Sequence, residues 1–453
     1  MKRYETYKDS GVEWLGKIPE HWESAKIKFI ANVFNGNSLN DKLKEKYRKT
    51  SSDCIPYIGS KDIEAETNII NYNNGIRISK EDESNFKLAK EGSAVICIEG
   101  GSAGKKIGFI ENDTFFVNKL ACLNSGNKFM YYFIQSSLFK NQFNSNLSGL
   151  IAGVSISSLK NLFITTPPPE EQTQIANYLN HKTEQLDSLI AKKEQLIKLL
   201  EEERKAIINQ AVTKGINPNV PMKDSGIEWL GEIPEHWKIP KIWHLVLMQK
   251  LEIQDGNHGS LYPKQEDFRT EGVYFIKPRD IRNGSVNFET CDCLTIEHAA
   301  SLRIGFTKPN DLLLVNRGGT IGRMARIKNI PNNLDYVIIN PQMTYIRCNK
   351  GLDSDFTYYQ CLSDIFQESL EQVKAFGSTF SFLGLSNMGN FPFILPPINE
   401  QKKISQFINQ KIGDLDDTID KVNKELVFLK EYKTALISEV VTGKIDVREE
   451  ILN

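Results

Sequence analysis

The stretch KDSGVEWLGKIPEHW at residues 8–22 is written again as KDSGIEWLGEIPEHW at 223–237, and only Val12/Ile227 and Lys17/Glu232 differ. Fifteen residues do not recur 215 positions apart by chance, so the chain contains an internal duplication. Further matches follow in the same order. YIGSKDI (57–63) parallels FIKPRDI (275–281), and VICIEGGSAGKKIGFI (95–110) parallels LLVNRGGTIGRMARI (313–327), both 218 apart. PPPEEQTQIANYLNHKTEQLDSLI (167–190) parallels PPINEQKKISQFINQKIGDLDDTI (396–419), now 229 apart. The growing offset describes one ancestral unit copied, with insertions collected in the second copy. A period above 200 residues means two domain-sized units, because solenoid repeats are far shorter.

Each copy has the same internal order. A Trp-rich segment comes first. Trp14 and Trp22 with Pro19, and Trp229 and Trp237 with Pro234, read as a packed hook that docks the start of each domain. A mixed region follows, its short apolar runs broken by Gly, Asn and Asp, which predicts strands and loops. Prolines at 167–169 and 396–397 then lead into long helical patterns with acids in the first turn. Leu186, Ile190, Lys193, Ile197, Leu200, Arg204, Ile207 and Ala211 step by four and three, as do Leu415, Ile419, Val422, Leu426, Leu429, Lys433, Leu436 and Val440. Such steps predict a coiled-coil seam. Arg204 and Lys433 interrupt the two seams at matching places. Two readings stand: the stems lie along the seam while the charges reach water, or the cations pin the register.

Two similar units in one chain tend to pack as two subunits of a dimer do, about a two-fold axis. An axis crossing the helices at right angles makes them antiparallel. The predicted fold is therefore α+β: two mixed α/β domains related by pseudo-two-fold symmetry, separated by two long antiparallel coiled-coil helices. The expected boundaries are 1–165 for the first domain, 166–215 for the central helix, 216–393 for the second domain and 394–453 for the C-terminal helix. The seam from Leu186 to Ala211 is about 39 Å long at ~1.5 Å per residue. That is roughly one turn of duplex at ~3.4 Å per base pair, so two heads one turn apart face the same side of DNA. The same rod suits two protein-binding heads equally well.

Composition removes several classes. With 453 residues, 40% hydrophobic and 25% charged, the chain has ample material for several cores. The start, MKRYETYKDSG, is polar and unlike a secretory signal. No apolar run reaches the ~18 residues of a membrane helix. Seven cysteines show no metal or redox spacing, which fits reduced thiols in a cytoplasmic protein. Six scattered histidines make no metal pattern. GGSAGKK (100–106) fails as a phosphate-binding loop, because Glu99 stands where the first glycine belongs and Lys106 where Ser or Thr is needed. No Asn/Asp-Pro-Pro-aromatic tetrad of an adenine methyltransferase is present; NPQM (340–343) lacks the second proline and the aromatic.

The net charge of −1 carries no nucleic-acid signal, so a DNA reading must rest on local clusters. Residues 1–160 hold 22 Lys and Arg against 18 Asp and Glu, and residues 223–390 hold 18 against 20. The Gly-rich segments predict tight strand–turn–strand connections. Their backbone amides and the hydroxyls of Ser102 and Thr320 are candidates for phosphate contact, beside Lys105, Lys106, Arg317 and Arg323. Lys277, Arg279 and Arg282 form a second cluster with Lys61 as its counterpart, and DKLKEKYRK (41–49) is a third. A charge run is ordinarily a solvated face; recurrence at matching places in both copies is what marks these.

The paired GxEWLGxIPxHW segments, the GG[ST]xG turns and the PPxxEQxxI starts of long Leu/Ile helices together resemble the specificity (S) subunits of type I restriction–modification systems. The resemblance spans nearly the whole chain. It implies two target recognition domains, each reading half of a split, asymmetric double-stranded DNA site, and helices that act as spacer regions. It implies no catalysis by the chain itself. The implied partners are adenine-N6 methyltransferase (M) subunits, two per chain, and restriction (R) subunits. S-adenosylmethionine, ATP and Mg²⁺ are then expected on those partners, and no cofactor or metal on this chain. The first copy departs from the family by placing Lys119 where a glutamine commonly follows the Asn of VN (117–118), whereas the second reads INPQ (339–342). The competing classes are a self-sufficient DNA methyltransferase or nuclease and a two-headed scaffold for proteins.

Overall fold

The computed structural model describes residues 2–48, 54–148, 152–259, 262–375 and 382–450. The chain divides into two compact units, one made of Met1–Gln195 with Val422–Asn453, the other of Leu196–Lys421. Cys97, Cys122, Cys291, Cys293, Cys348 and Cys361 are free thiols.

In the first unit the apolar runs of the mixed region become two four-stranded sheets. The strands are β1 (Asn32–Asn35), β2 (Ile55–Ile58), β3 (Arg77–Ile78), β4 (Leu88–Ala89), β5 (Ala94–Cys97), β6 (Ile107–Phe109), β7 (Thr114–Phe116) and β8 (Leu120–Asn124). One sheet runs β3-β2-β7-β4 and the other β1-β8-β5-β6. β2 and β7 pair in parallel; the other pairs are antiparallel. The run AVIC is unbroken because β5 is covered on both faces. Val95 and Cys97 face a core with Ile58, Phe116 and Leu120. Ala94 and Ile96 face a second core with Phe133, Phe139 and Phe143. Phe139 and Phe143 lie on helix α1 (Ser137–Ser145), whose first turn is capped by the Ser136 hydroxyl accepting from Phe139 N.

Helix α2 (Pro169–Lys214) begins in this unit. It buries Ile175 and Leu179 in the second core.

The second unit repeats this plan strand for strand. β9 (Leu251–Asp255), β10 (Val273–Ile276), β11 (Asp292–Leu294), β12 (Phe306–Thr307), β13 (Leu312–Val315), β14 (Met324–Arg326), β15 (Val337–Ile339) and β16 (Met343–Cys348) form sheets β11-β10-β15-β12 and β9-β16-β13-β14. β10 and β15 are again the parallel pair. β13, from the run LLLV, is buried on both faces as β5 is. Helix α3 (Asp364–Ala375) contributes Ile365, Phe366 and Leu370 to the core on one side. Helix α4 (Ile398–Val441) adds Ile404, Ile408 and Ile412.

Both long helices are present, and the seam positions are the covered ones. Between 186 and 206, and between 415 and 435, each predicted seam residue is buried or half-buried while every residue between them is exposed. Within the first unit the ends of α2 and α4 run antiparallel. Asp187 pairs with Lys433 at 2.7 Å and Glu194 with Lys430 at 3.3 Å, and Lys193 pairs with Glu425. Numbers rise along one helix as they fall along the other. In the second unit Arg204 Nε lies 3.5 Å from Asp416 Oδ1. Lys433 is therefore held by an acid of the facing helix, as the register-pin reading expects, while Arg204 lies beside one with its Nε making no hydrogen bond and its side chain 37% exposed. Lys433 does not reach out to water: its side chain is only 15% exposed.

The Trp-rich segments split in two. Trp22 and Trp237 are buried, whereas Trp14 and Trp229 are 44% and 41% exposed. The packed hook thus involves the second tryptophan of each copy; the first stands at the tip of a turn between glycines with positive φ. The hook rests on the start of a long helix. His21 pairs with Glu171 at 2.8 Å, and His236 with Glu400 at 2.7 Å. The next residue ties the helix start to its own proline turn: Gln172 Nε2 donates to Pro167 O and Gln401 Nε2 to Pro396 O, both at 2.8 Å. The Glu-Gln pair in the sequence is accounted for by these two clamps.

Candidate nucleic-acid interface

Each Gly-rich segment is the turn leaving the doubly covered strand, between β5 and β6 in one unit and between β13 and β14 in the other. The two turns have one backbone design. Gly104 N donates to Cys97 O (2.8 Å) and Gly322 N to Val315 O (2.9 Å). Lys105 N donates to Ser102 O and Arg323 N to Thr320 O, both at 3.1 Å. Gly104 and Gly322 have φ of +72° and +90°, and a Cβ there would strike Phe143 of α1 or Leu370 of α3. Those two glycines are required by conformation and by packing together.

The strand end before each turn is fixed from both sides. Ile98 N donates to Lys119 O and Val154 N to Ile98 O, at 2.9 Å each. Asn316 N donates to Gln342 O and Leu383 N to Asn316 O, at 2.9 and 2.8 Å. Lys119 and Gln342 thus occupy the same place and hold it through their main-chain carbonyls, which any side chain permits. In the second unit the buried Asn316 also donates through Nδ2 to Asp255 Oδ1 (3.1 Å) and Thr344 Oγ1 (3.0 Å). Burial raises the Asp255 carboxyl above the usual range despite these bonds.

The structure sorts the sequence-derived candidates. Lys61, Lys105, Arg282, Arg317 and Thr320 are exposed, and Ser102 is half-buried in its turn. Lys106 reaches back to Ser60 O at 2.8 Å, and Arg323 Nη1 lies 3.4 Å from Ile281 O. These two tie the Gly-rich turn to the neighbouring SKD or PRD turn. Lys277 Nζ is held by Asp292 at 2.6 Å and sits 3.8 Å from the centre of the Phe268 ring. Arg279 Nη2 joins the same carboxylate at 2.8 Å. That cluster is largely neutralised within its own domain. The aspartates following Lys61 and Arg279 are turn caps: Asp62 Oδ2 accepts from Gly59 N, and Asp280 Oδ2 from Lys277 N. In DKLKEKYRK, Lys44 pairs with Asp41 and Lys46 with Asp82, while Lys49 lies outside the described residues.

Two residues beside the turns were not among the candidates. Phe382, 40% exposed, lies under the Arg317 guanidinium, 4.4 Å from ring centre to guanidinium carbon. Glu99 stands at the first copy's position for Arg317. The signal for Glu99 was available, since the two turns align without a gap; Phe382 follows a stretch with no counterpart spacing to guide it. Among the described residues no His, Cys, Asp and Glu cluster suits a metal ion, and no helix is long and apolar enough to cross a membrane.

This repeated arrangement has known relatives. The family model described as type I restriction modification DNA specificity domain matches residues 19–202 and 252–426. The chain belongs to that family, and its role is that of the DNA-recognition subunit rather than a catalytic one. It is 25% identical over 443 residues to the type I restriction enzyme MjaVIII specificity subunit of Methanocaldococcus jannaschii, covering 95% of both chains. It is 21% identical to the EcoKI specificity subunit of Escherichia coli K12, over 95% of this chain and 90% of that one. A chain solved in work on assembly and conformational transition of the type I R-M system shares the fold at a TM-score of 0.70 and 14% identity, over 94% and 99% of the two chains. The HsdS subunit of Thermoanaerobacter tengcongensis matches at a TM-score of 0.50 and 15% identity, over 94% and 98%.

Proposed function

We propose that each mixed domain reads one half of a split, asymmetric DNA site and that the chain assembles with two adenine-N6 methyltransferase subunits and with restriction subunits. The carrying observation is the pair of sheet systems, identical in strand order, that present the same turn with different side chains. A repeated frame with altered contacts suits two readers of unlike half-sites. S-adenosylmethionine, ATP and Mg²⁺ belong to the partner subunits in this reading, and the cytoplasm is where such a complex meets DNA. The relatives named as specificity subunits support the same assignment.

Co-expression of the chain with its methyltransferase partner, followed by mapping of methylated adenines, tests it. The expected motif is two unlike half-sites with an unread gap. Methylation without sequence preference, or by the isolated chain alone, would overturn the reading.

A further inference from the structure

The two Gly-rich turns agree in backbone and disagree at one point. The residue that leads into the first glycine is Glu99 in one unit and Arg317 in the other, 218 apart as the glycines are. Both leave a strand end held by the same main-chain bonds. Both also form a backbone bridge to the segment behind, Glu99 to Gly153 and Arg317 to Phe382. The two side chains therefore spring from matching frames with opposite charge and opposite hydrogen-bonding sense.

Resting on the DNA-recognition role argued above, we infer that Glu99 and Arg317 are the equivalent base-reading residues of the two domains, Arg317 for guanine and Glu99 for an exocyclic amine. The Arg317 guanidinium is stacked on Phe382 and forms no ion pair among the described residues. Stacking fixes the guanidinium plane and leaves its N–H edge free, and that fork matches guanine O6 and N7 in the major groove. A carboxylate only accepts, so Glu99 takes a cytosine N4 or adenine N6 amine.

A second observation supports an approaching duplex. Gly101 and Gly319, next along each turn, are exposed, lack positive φ, and have no atom of the described residues within 4 Å of where a Cβ would stand. Nothing among the described residues calls for glycine at either place. A bare backbone there lets a groove wall come close to the reading residue.

The test uses the full chain in complex with its methyltransferase partner. Binding is measured by competition against duplexes carrying every single-base substitution in both half-sites. Arg317→Ala and Arg317→Lys should each relax discrimination at one guanine of one half-site by roughly 5- to 150-fold, the worth of a bidentate pair. The other half-site should be unchanged. Glu99→Gln should do the same at one base pair of the other half-site, and the substituted series distinguishes cytosine from adenine there. Phe382→Leu should weaken the same guanine preference as Arg317→Lys, and no other. Arg317→Lys keeps the charge, so it decides the matter if Arg317→Ala fails to fold. A uniform loss across all duplexes marks a phosphate contact and overturns the assignment, as does an unaltered motif in Arg317→Lys and Glu99→Gln. A wild-type complex without sequence preference would overturn the recognition role itself.

Discussion

Asp187 accepts from Lys433 through both carboxylate oxygens, at 2.7 and 2.8 Å, and 229 residues separate each of them from the members of the second pair. Asp416 is the counterpart of Asp187, Arg204 is the counterpart of Lys433, and these two also face each other. The pairing is reciprocal: each long helix offers its acid to the other's seam cation. This is the self-complementary logic of an isologous contact. The Lys433 pair is the better made, since the Arg204 ion pair is longer. Exposed ion pairs contribute about 0–1 kcal/mol and half-buried ones somewhat more. A double-mutant cycle with Asp187→Asn and Lys433→Met should give a coupling of about 1 kcal/mol. The Asp416→Asn and Arg204→Met cycle should give about half that. Zero couplings in chemical unfolding would show that the pairs do not set the register, and equal ones would contradict the difference in geometry.

The same reciprocity predicts how half of the chain behaves. In the first unit Leu436, Ile437, Val440 and Val441 complete the core that holds Ile18 and Trp22. Their sequence counterparts 229 positions earlier are Ile207, Ile208, Ala211 and Val212. A fragment of residues 1–221 lacks the first set and carries the second. It should self-associate, each copy supplying the helix end the other needs, and sedimentation should find a dimer. Leu200→Asp in the seam should return it to monomer. A folded, monomeric parent fragment would contradict the pairing.

The duplication made most of this fold legible, because matched segments could be laid side by side and the seam steps counted. What stayed hidden were contacts between segments distant in sequence. His21 and Glu171 sit in two separately recognised motifs, and nothing in a spacing of 150 residues joins them. Side-chain size predicts that all four tryptophans are buried as one hook; turn geometry puts Trp14 and Trp229 outside. The basic clusters were legible as charge but not as availability. Lys277 and Arg279 share Asp292, which lies on a neighbouring strand and looks unrelated in sequence. The Gly-rich turn itself is legible as strand–turn–strand, since glycine at the required φ is a local signal.

Gly443 ends α4 at φ +74°, where an added Cβ would lie 2.4 Å from Pro19 Cδ and 3.1 Å from Trp22. Gly16, in the same unit, has φ +68° with no atom of the described residues within 4 Å of an added Cβ. The pair separates two costs. Gly16→Ala should lose only the conformational term, about 1 kcal/mol. Gly443→Ala adds overpacking of a further 1–3 kcal/mol. Thermal unfolding should show the second variant clearly less stable. Equal losses would mean that Pro19 and Trp22 yield freely, and that the hook is not tightly seated.

Few of the candidate cations are free to meet phosphate. Lys277 and Arg279 are tied to Asp292, and the net charge is −1. Among the candidates Lys61, Lys105, Arg282 and Arg317 are exposed and untied within their own domains, whereas the exposed Arg279 and Arg323 are engaged by Asp292 and Ile281 O. At about 0.9 per phosphate, four contacts give a salt slope near −4 in log affinity against log salt. The isolated chain should bind duplex DNA weakly with a slope no steeper than this, and the complex with its methyltransferase partner should be steeper. Lys277→Met should leave the slope unchanged. A slope of about −6 or beyond for the isolated chain would mean that the paired cations are released to bind.

Acid should loosen the junction of the two chain ends in the first unit. Asp446 accepts from Arg448 through both carboxylate oxygens, at 2.9 and 2.7 Å, and from Arg448 N at 3.1 Å. Its own N–H donates to Lys2 O at 3.0 Å. Burial alone would raise this carboxyl, but the Arg448 bonds outweigh it and hold it below the usual carboxylate range. A carboxyl whose pKa is lower folded than unfolded stabilises the fold above the unfolded value, about 3.9. That contribution is lost as pH falls through the lower, folded value. Stability should therefore be flat in this respect near neutrality and decline below about pH 4. Asp446→Asn, which keeps the acceptor but not the charge, should flatten that acid limb and lower stability at pH 7. Urea midpoints between pH 7 and 2.5 measure both. An acid limb of the same slope in Asp446→Asn would assign it to other carboxylates.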